Sequence, residues 1–165
     1  MILLAATSLF AARNIDVDLS LMGELNSLSL NVRDNKNSDA KLTFNINLDV
    51  RGNIYFDGEN GMFIELGYNM EEGDAITIAA GYAYKLPVES LDLALQVGPH
   101  FIVKGKNCDF GFDLDADFIY SMTKTIFLTF GAGIDLNFLT FGQQKASTYF
   151  DMTLAAPRFG LGFSF

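Results

Sequence analysis

The chain has 165 residues and a net charge of −9, with 20 Asp+Glu against 11 Lys+Arg. That length fits one domain, and the acidic balance excludes a nucleic-acid surface, which needs clustered cations. Half of the residues are apolar, yet no run is long enough for a spanning helix. The single cysteine, Cys108, has no partner for an internal disulfide.

Residues 1–12 form a short apolar stretch ending in small residues, which resembles the core and cleavage site of a secretory signal peptide. The basic start of such a signal is missing. Beyond it, alternation with a period of two dominates, the pattern of strands with one apolar face. A first strand is expected near 15–32, and a second over 41–56 with Leu42, Phe44, Ile46, Leu48, Val50, Ile54 and Phe56 on one side. After a turn at 57–60, Ile64, Leu66, Tyr68 and Met70 share a face. A turn at 71–74 then leads to Ile76, Ile78, Ala80, Tyr82 and Tyr84. Residues 85–90 read as a connection, followed by Leu91, Leu93, Leu95, Val97, Phe101 and Val103. Phe110, Phe112, Leu114, Phe118 and Tyr120 make the next stripe, and Ile126, Leu128, Phe130, Ile134, Leu136 and Phe138 the one after. A last strand over 149–165 brings the number to about eight.

Two strands change parity midway. In the first, apolar residues are odd up to Leu21 and even from Leu28. In the last, Phe150, Met152 and Leu154 oppose Phe159, Leu161, Phe163 and Phe165. A β-bulge near 26–27 and another near 155–157 account for both flips, the second at a site where Pro157 is tolerable. The alternative at the first site is a turn over 24–27.

Alternation does not say which face looks inward. The polar face carries many small residues (Ala79, Gly81 and Ala83; Ala94 and Gly98; Gly131 and Gly133; Gly160 and Gly162), which suit the crowded inside of a narrow barrel. On the apolar face, Phe56, Tyr82, Tyr84, Phe118 and Tyr120 gather at one end of alternate strands, as an aromatic girdle at a membrane interface does. Connections on that side are short, whereas 33–39 and 140–148 are the longest and most polar of the opposite set.

The final residues, Arg158 to Phe165, alternate to an aromatic last position. Arg158, Gly160, Phe163 and Phe165 resemble the C-terminal assembly signal of bacterial outer-membrane barrels. With the strand count, the chain resembles the small outer-membrane barrels of the OmpA-, OmpX- and OmpW-type over residues 14–165. That resemblance implies an antiparallel up-and-down eight-stranded transmembrane β-barrel in the outer membrane of a diderm bacterium. It further implies a monomer embedded in lipid, delivered by the barrel-assembly machinery, acting as a structural or narrow porin-like barrel; no cofactor is expected, and a membrane-embedded lipid-modifying enzyme, a role some barrels of this size have, is the least favoured reading. The competing reading is a soluble lipocalin-like barrel with its apolar face turned inward around a ligand.

With the small residues inside, Asp49, Glu65, Asp92, Asp113, Asp115, Asp117 and Asp135 line an acidic lumen, with Arg51 and Arg158 among its cations. Asp113, Asp115 and Asp117 lie about 7 Å apart along one strand. They form no EF-hand loop, since Phe118 stands where glycine is required and Lys124 where the bidentate glutamate belongs. A packed network of salt bridges is the expected state, ahead of a cation passage or metal site. His100 is the only histidine, so no metal-ligand cluster is expected, and nothing in its spacing proposes a Ser-His-carboxylate set.

Overall fold

The computed structural model describes residues 15–33, 37–41, 45–70, 75–142 and 147–165. Among the described residues, nine antiparallel strand segments follow in chain order: β1 (Asp16–Arg33), β2 (Asn37–Lys41), β3 (Asn45–Tyr55), β4 (Asn60–Asn69), β5 (Ala75–Val88), β6 (Leu91–Lys104), β7 (Asn107–Ser121), β8 (Ile126–Phe141) and β9 (Ser147–Ser164). β3 pairs with the first half of β1 and β2 with its second half, so these two pieces share one place in the ring. Every later strand pairs with the next, and β9 returns to β1 from Asp18↔Ser164 to Val32↔Phe150. Nine pieces thus close an up-and-down barrel of eight strands. Closure satisfies the strand edges that an open sheet would expose.

The barrel is inverted relative to a water-soluble domain. β4 alternates buried and exposed positions along its length, and the exposed ones are apolar. Leu21, Ile64, Leu66, Leu114, Phe159 and Leu161 are between 45% and 62% exposed, whereas Arg51 and Arg158 are 1% exposed. Strand parity keeps the two sets apart, because successive side chains point to opposite faces. Among the described residues the centre holds Arg51, Arg158, Asp49, Asp115 and Asp117, all buried, while the large apolar side chains face out, so the lipocalin-like geometry is set aside.

Both parity flips are bulges. Ser27 is the extra residue on β1, between Asn26↔Ala155 and Leu28↔Leu154, while Ala156 and Pro157 together stand against Leu25 of β1 and Ala132 of β8. β1 runs unbroken through 24–27, so that segment is not a turn. Pro157 has no N–H to donate, and a bulge is where a strand needs none.

Several strands run farther than alternation suggests. β5 continues through Pro87 to Val88, paired with Leu91, so the connection expected at 85–90 shrinks to Glu89 and Ser90. β1 reaches Arg33 and β2 starts at Asn37, and β8 reaches Phe141 before β9 begins at Ser147, so the two polar connections are shorter than 33–39 and 140–148. Ladder hydrogen bonds do not require apolar side chains, so polar strand ends carry no alternation that sets them apart from loops. Of the segment expected as one strand over 41–56, Lys41 ends β2 and Asn45–Tyr55 is β3, while Leu42 and Phe44 lie outside the described residues, as do 1–12.

One rim carries the short turns at 57–59, 89–90 and 122–125 together with the ends of β1 and β9. Phe56, Tyr82, Phe118 and Tyr120 are exposed on the outer wall near it, with Tyr84 half-buried beside them. The opposite rim has aromatics as well. Phe101, Phe110, Phe112, Phe138 and Phe150 form a chain of ring contacts with centroids 5.1–6.3 Å apart. Sequence reading missed this second band because its members open or close different strands and meet only through register.

Candidate functional site

The lumen is organised in three storeys. At mid-height, Arg51 of β3 donates from Nε to Glu65 of β4 at 2.5 Å and pairs through one terminal nitrogen with Asp117 at 2.9 Å and through the other with Asp115. Arg158 of β9 pairs with Asp115, reaches Glu24 of β1 at 3.2 Å and lies 3.6 Å from Glu65. Arg51 and Glu65 are cross-strand neighbours, whereas Asp115 and Asp117 come from β7 on the far wall. The guanidiniums therefore span the bore. Their planar forks can serve several carboxylates at once, which a lysine ammonium cannot do with fixed direction.

Toward the turn rim the lumen becomes apolar. Tyr55, Phe63, Ala79 and Ala83 pack together, and Ala94, Ile119 and Phe127 form a second group. Met22 is also buried there. The Arg51 guanidinium sits 5.5 Å from the Phe63 ring centroid, a cation–π contact in a desolvated place. Lys85, expected in a turn, points inward instead. Its Nζ is 2.9 Å from Asp18 and 4.1 Å from the Tyr55 ring centroid, and the Ser164 hydroxyl donates to Asp18 at 2.7 Å. These inward apolar groups share parity with the polar ones, and that shared parity was the available signal.

Toward the loop rim lies a cavity of about 80 Å³, lined by Glu24, Asp49, Glu65, Asp113, Asp115, Asp135 and Asp151 with Lys104 and Arg158. Next to the lining residues Asp113 and Asn137, His100 of β6 is fully buried. Its Nδ1 meets Asp113 and its Nε2 lies 2.7 Å from Asn137 Oδ1. Gly111 faces His100 in register, and a Cβ there would strike the imidazole. Asp113 is directly opposite Asp135 across β7 and β8.

Of the residues expected in the lumen, Asp49, Arg51, Glu65, Asp113, Asp115, Asp117 and Arg158 are buried, and Asp135 is half-buried. Asp92 stands apart, half-buried near the turn rim opposite Pro87 and Ile119. Glu24, Lys85 and His100 complete the network, and sequence reading left all three out of it. Of the terminal residues, Phe163 and Phe165 are exposed on the outer wall, and Arg158 is inside. Gly160 sits against Met22 and Thr129, where a side chain would collide. Both ring nitrogens of His100 are engaged by Asp113 and Asn137, which leaves neither aimed at a hydroxyl nucleophile.

No protein-family model matches the chain, and no curated protein matches it in sequence. Its fold is similar to that of solved outer-membrane barrels. The N-terminal barrel domain of Pseudomonas aeruginosa OprF superposes with a TM-score of 0.63 at 12% identity, covering 91% of this chain and 97% of that one. Neisserial surface protein A gives 0.53 at 11% identity, with 92% and 97% covered. The attachment invasion locus protein Ail of Yersinia pestis gives 0.51 at 12%, with 91% and 98% covered. At such identities the likeness is one of fold.

Proposed function

We propose that this chain is an integral protein of a bacterial outer membrane, a structural barrel whose bore is closed at mid-height and whose acidic well opens toward the loop side. The observation that carries this reading is the inverted distribution of side chains: apolar residues cover the outer wall while Arg51, Arg158 and their carboxylates fill the inside. An exposed apolar surface of that extent is unfavourable in water and favourable against lipid chains. The aromatic bands at both rims and the similar fold of solved outer-membrane barrels support the same placement.

The rim with the short turns and both barrel ends faces the periplasm, and the well faces outward. In the last strand, Arg158, Gly160, Phe163 and Phe165 serve as the signal that the barrel-assembly machinery reads, and the barrel is a monomer. The Arg51–Arg158 lattice leaves no wide passage, so the barrel holds shape and presents loops and is not an open pore. Any residual current favours cations, because carboxylates outnumber the inward Lys and Arg.

Reconstitution in planar bilayers tests the reading. The wild-type barrel is expected to be nearly silent, and the double variant Arg51→Ser, Arg158→Ser to pass a cation-preferring current. A steady, large wild-type conductance, or anion preference in either protein, contradicts it.

A further inference from the structure

We infer that the loop-side well contains a divalent transition-metal site, formed by His100, Asp113 and Asp135 and suited to Zn²⁺. The inference depends on the inward orientation of these residues and not on whether the barrel conducts.

Three strands build the corner. His100 comes from β6, Asp113 from β7 and Asp135 from β8, and each offers one ligand atom, all lying within 4.8 Å of one another. That spacing is close to what ligands about 2.0–2.2 Å from one shared ion span, so small side-chain rotations suffice. One imidazole and two carboxylates is a borderline donor set of the kind Zn²⁺ accepts, with water completing the shell. Asn137 Oδ1, 2.7 Å from His100 Nε2, fixes the ring in the way outer-shell partners of metal-bound histidines do.

The local charge asks for a cation. Asp113 and Asp135 face each other directly in the ladder, an arrangement that is destabilising for two like charges. The guanidinium groups of Arg51 and Arg158 are held by Glu24, Glu65, Asp115 and Asp117. No Lys or Arg among the described residues forms an ion pair with Asp135.

A second observation is independent of this trio. Asp49, on β3 across the bore, lines the same cavity and is 3% exposed, yet its Oδ2 has no hydrogen-bond partner. A buried carboxylate oxygen without a donor is costly, and a hydrated cation in the well supplies one. The cavity of about 80 Å³ has room for an ion and one or two waters, at ~30 Å³ of liquid volume each. Gly111 keeps the wall behind the imidazole clear.

The test is Zn²⁺ binding to the untagged, detergent-folded chain, followed by calorimetry and by metal analysis after dialysis. One Zn²⁺ per chain is expected, with affinity weakened more than tenfold in His100→Gln and in Asp135→Asn. Asp57→Asn, on the turn outside the well, leaves it unchanged. Absence of binding to the wild type, or wild-type affinity in both well variants, overturns the site. Should either variant fail to fold, X-ray absorption of the Zn²⁺-loaded wild type decides. Because the chain has one histidine, a single imidazole in the shell supports the site, and a shell without imidazole refutes it.

Discussion

Arg51 and Arg158 hold carboxylates from three strands in a space that water barely enters, so each is a counter-charge the lumen depends on. Removing one partner of a buried pair strands the others and costs about 3–5 kcal/mol. Arg158→Ala is therefore expected to lower stability by roughly that amount, read as the urea midpoint of the heat-modifiable gel shift. A loss below about 1 kcal/mol, the range of exposed pairs, contradicts a buried lattice. At this scale alternation sorts the residues onto two faces, and the small residues on the polar face are the signal for which face is enclosed. Neither shows partners. His100, Asp113 and Asp135 are brought together by the register of β6, β7 and β8, and register is set by turns and bulges that composition does not encode. At Lys85 a proline two residues on suggests a loop, yet the ladder continues past it.

The turn joining β3 to β4 is organised by Asp57, whose carboxylate accepts from the Asn60 backbone N–H at 2.5 Å, the Asn60 side chain at 2.8 Å and the Glu59 N–H at 3.0 Å. The Asn60 backbone bond, then its side chain, then Glu59 hold this carboxyl below the usual carboxylate range. The charged form is the one favoured in the fold. Its support is present at neutral pH and is lost as pH falls through the depressed folded value. A carbon-detected titration of Asp57 is expected to give a midpoint below the ~3.9 of an unperturbed aspartate, and Asn60→Ala to raise it. An unshifted midpoint in the wild type contradicts the turn geometry. The bulge at Ala156 and Pro157 makes a second, opposite pair of expectations. Deleting Ala156 leaves one residue against one, so Arg158 stays opposite Glu24 and the barrel still assembles. Deleting Gly160 instead turns Phe163 and Phe165 inward, because a single slip exchanges faces, and unassembled protein accumulates. Gel mobility and protease protection distinguish the two, and equal behaviour refutes the bulge. Both bulges were legible as parity flips, whereas the true ends of β1, β5 and β8 were not, since polar residues extend a ladder without any periodic signal.

For the whole molecule, eight strands and their up-and-down order followed from counting apolar stripes and turns, and closure followed from the pairing of β9 with β1. The partition of the lumen was harder to read. Met22, Phe63, Ile119 and Phe127 make the turn-side half apolar, while the loop-side half keeps the carboxylates. This asymmetry depends on how far along each strand an inward residue sits once the strands are staggered around a barrel. The outer wall is the feature on which membrane placement, lattice and well all depend. A nitroxide scan along β4, in a Cys108→Ser background reconstituted in lipid vesicles, measures it directly. Oxygen accessibility is expected to peak at Met62, Ile64, Leu66 and Tyr68 and to fall at Phe63, Glu65 and Gly67, with a water-soluble nickel reagent excluded from the peaks. Free access of the nickel reagent to Ile64 and Leu66 would contradict a lipid-facing wall.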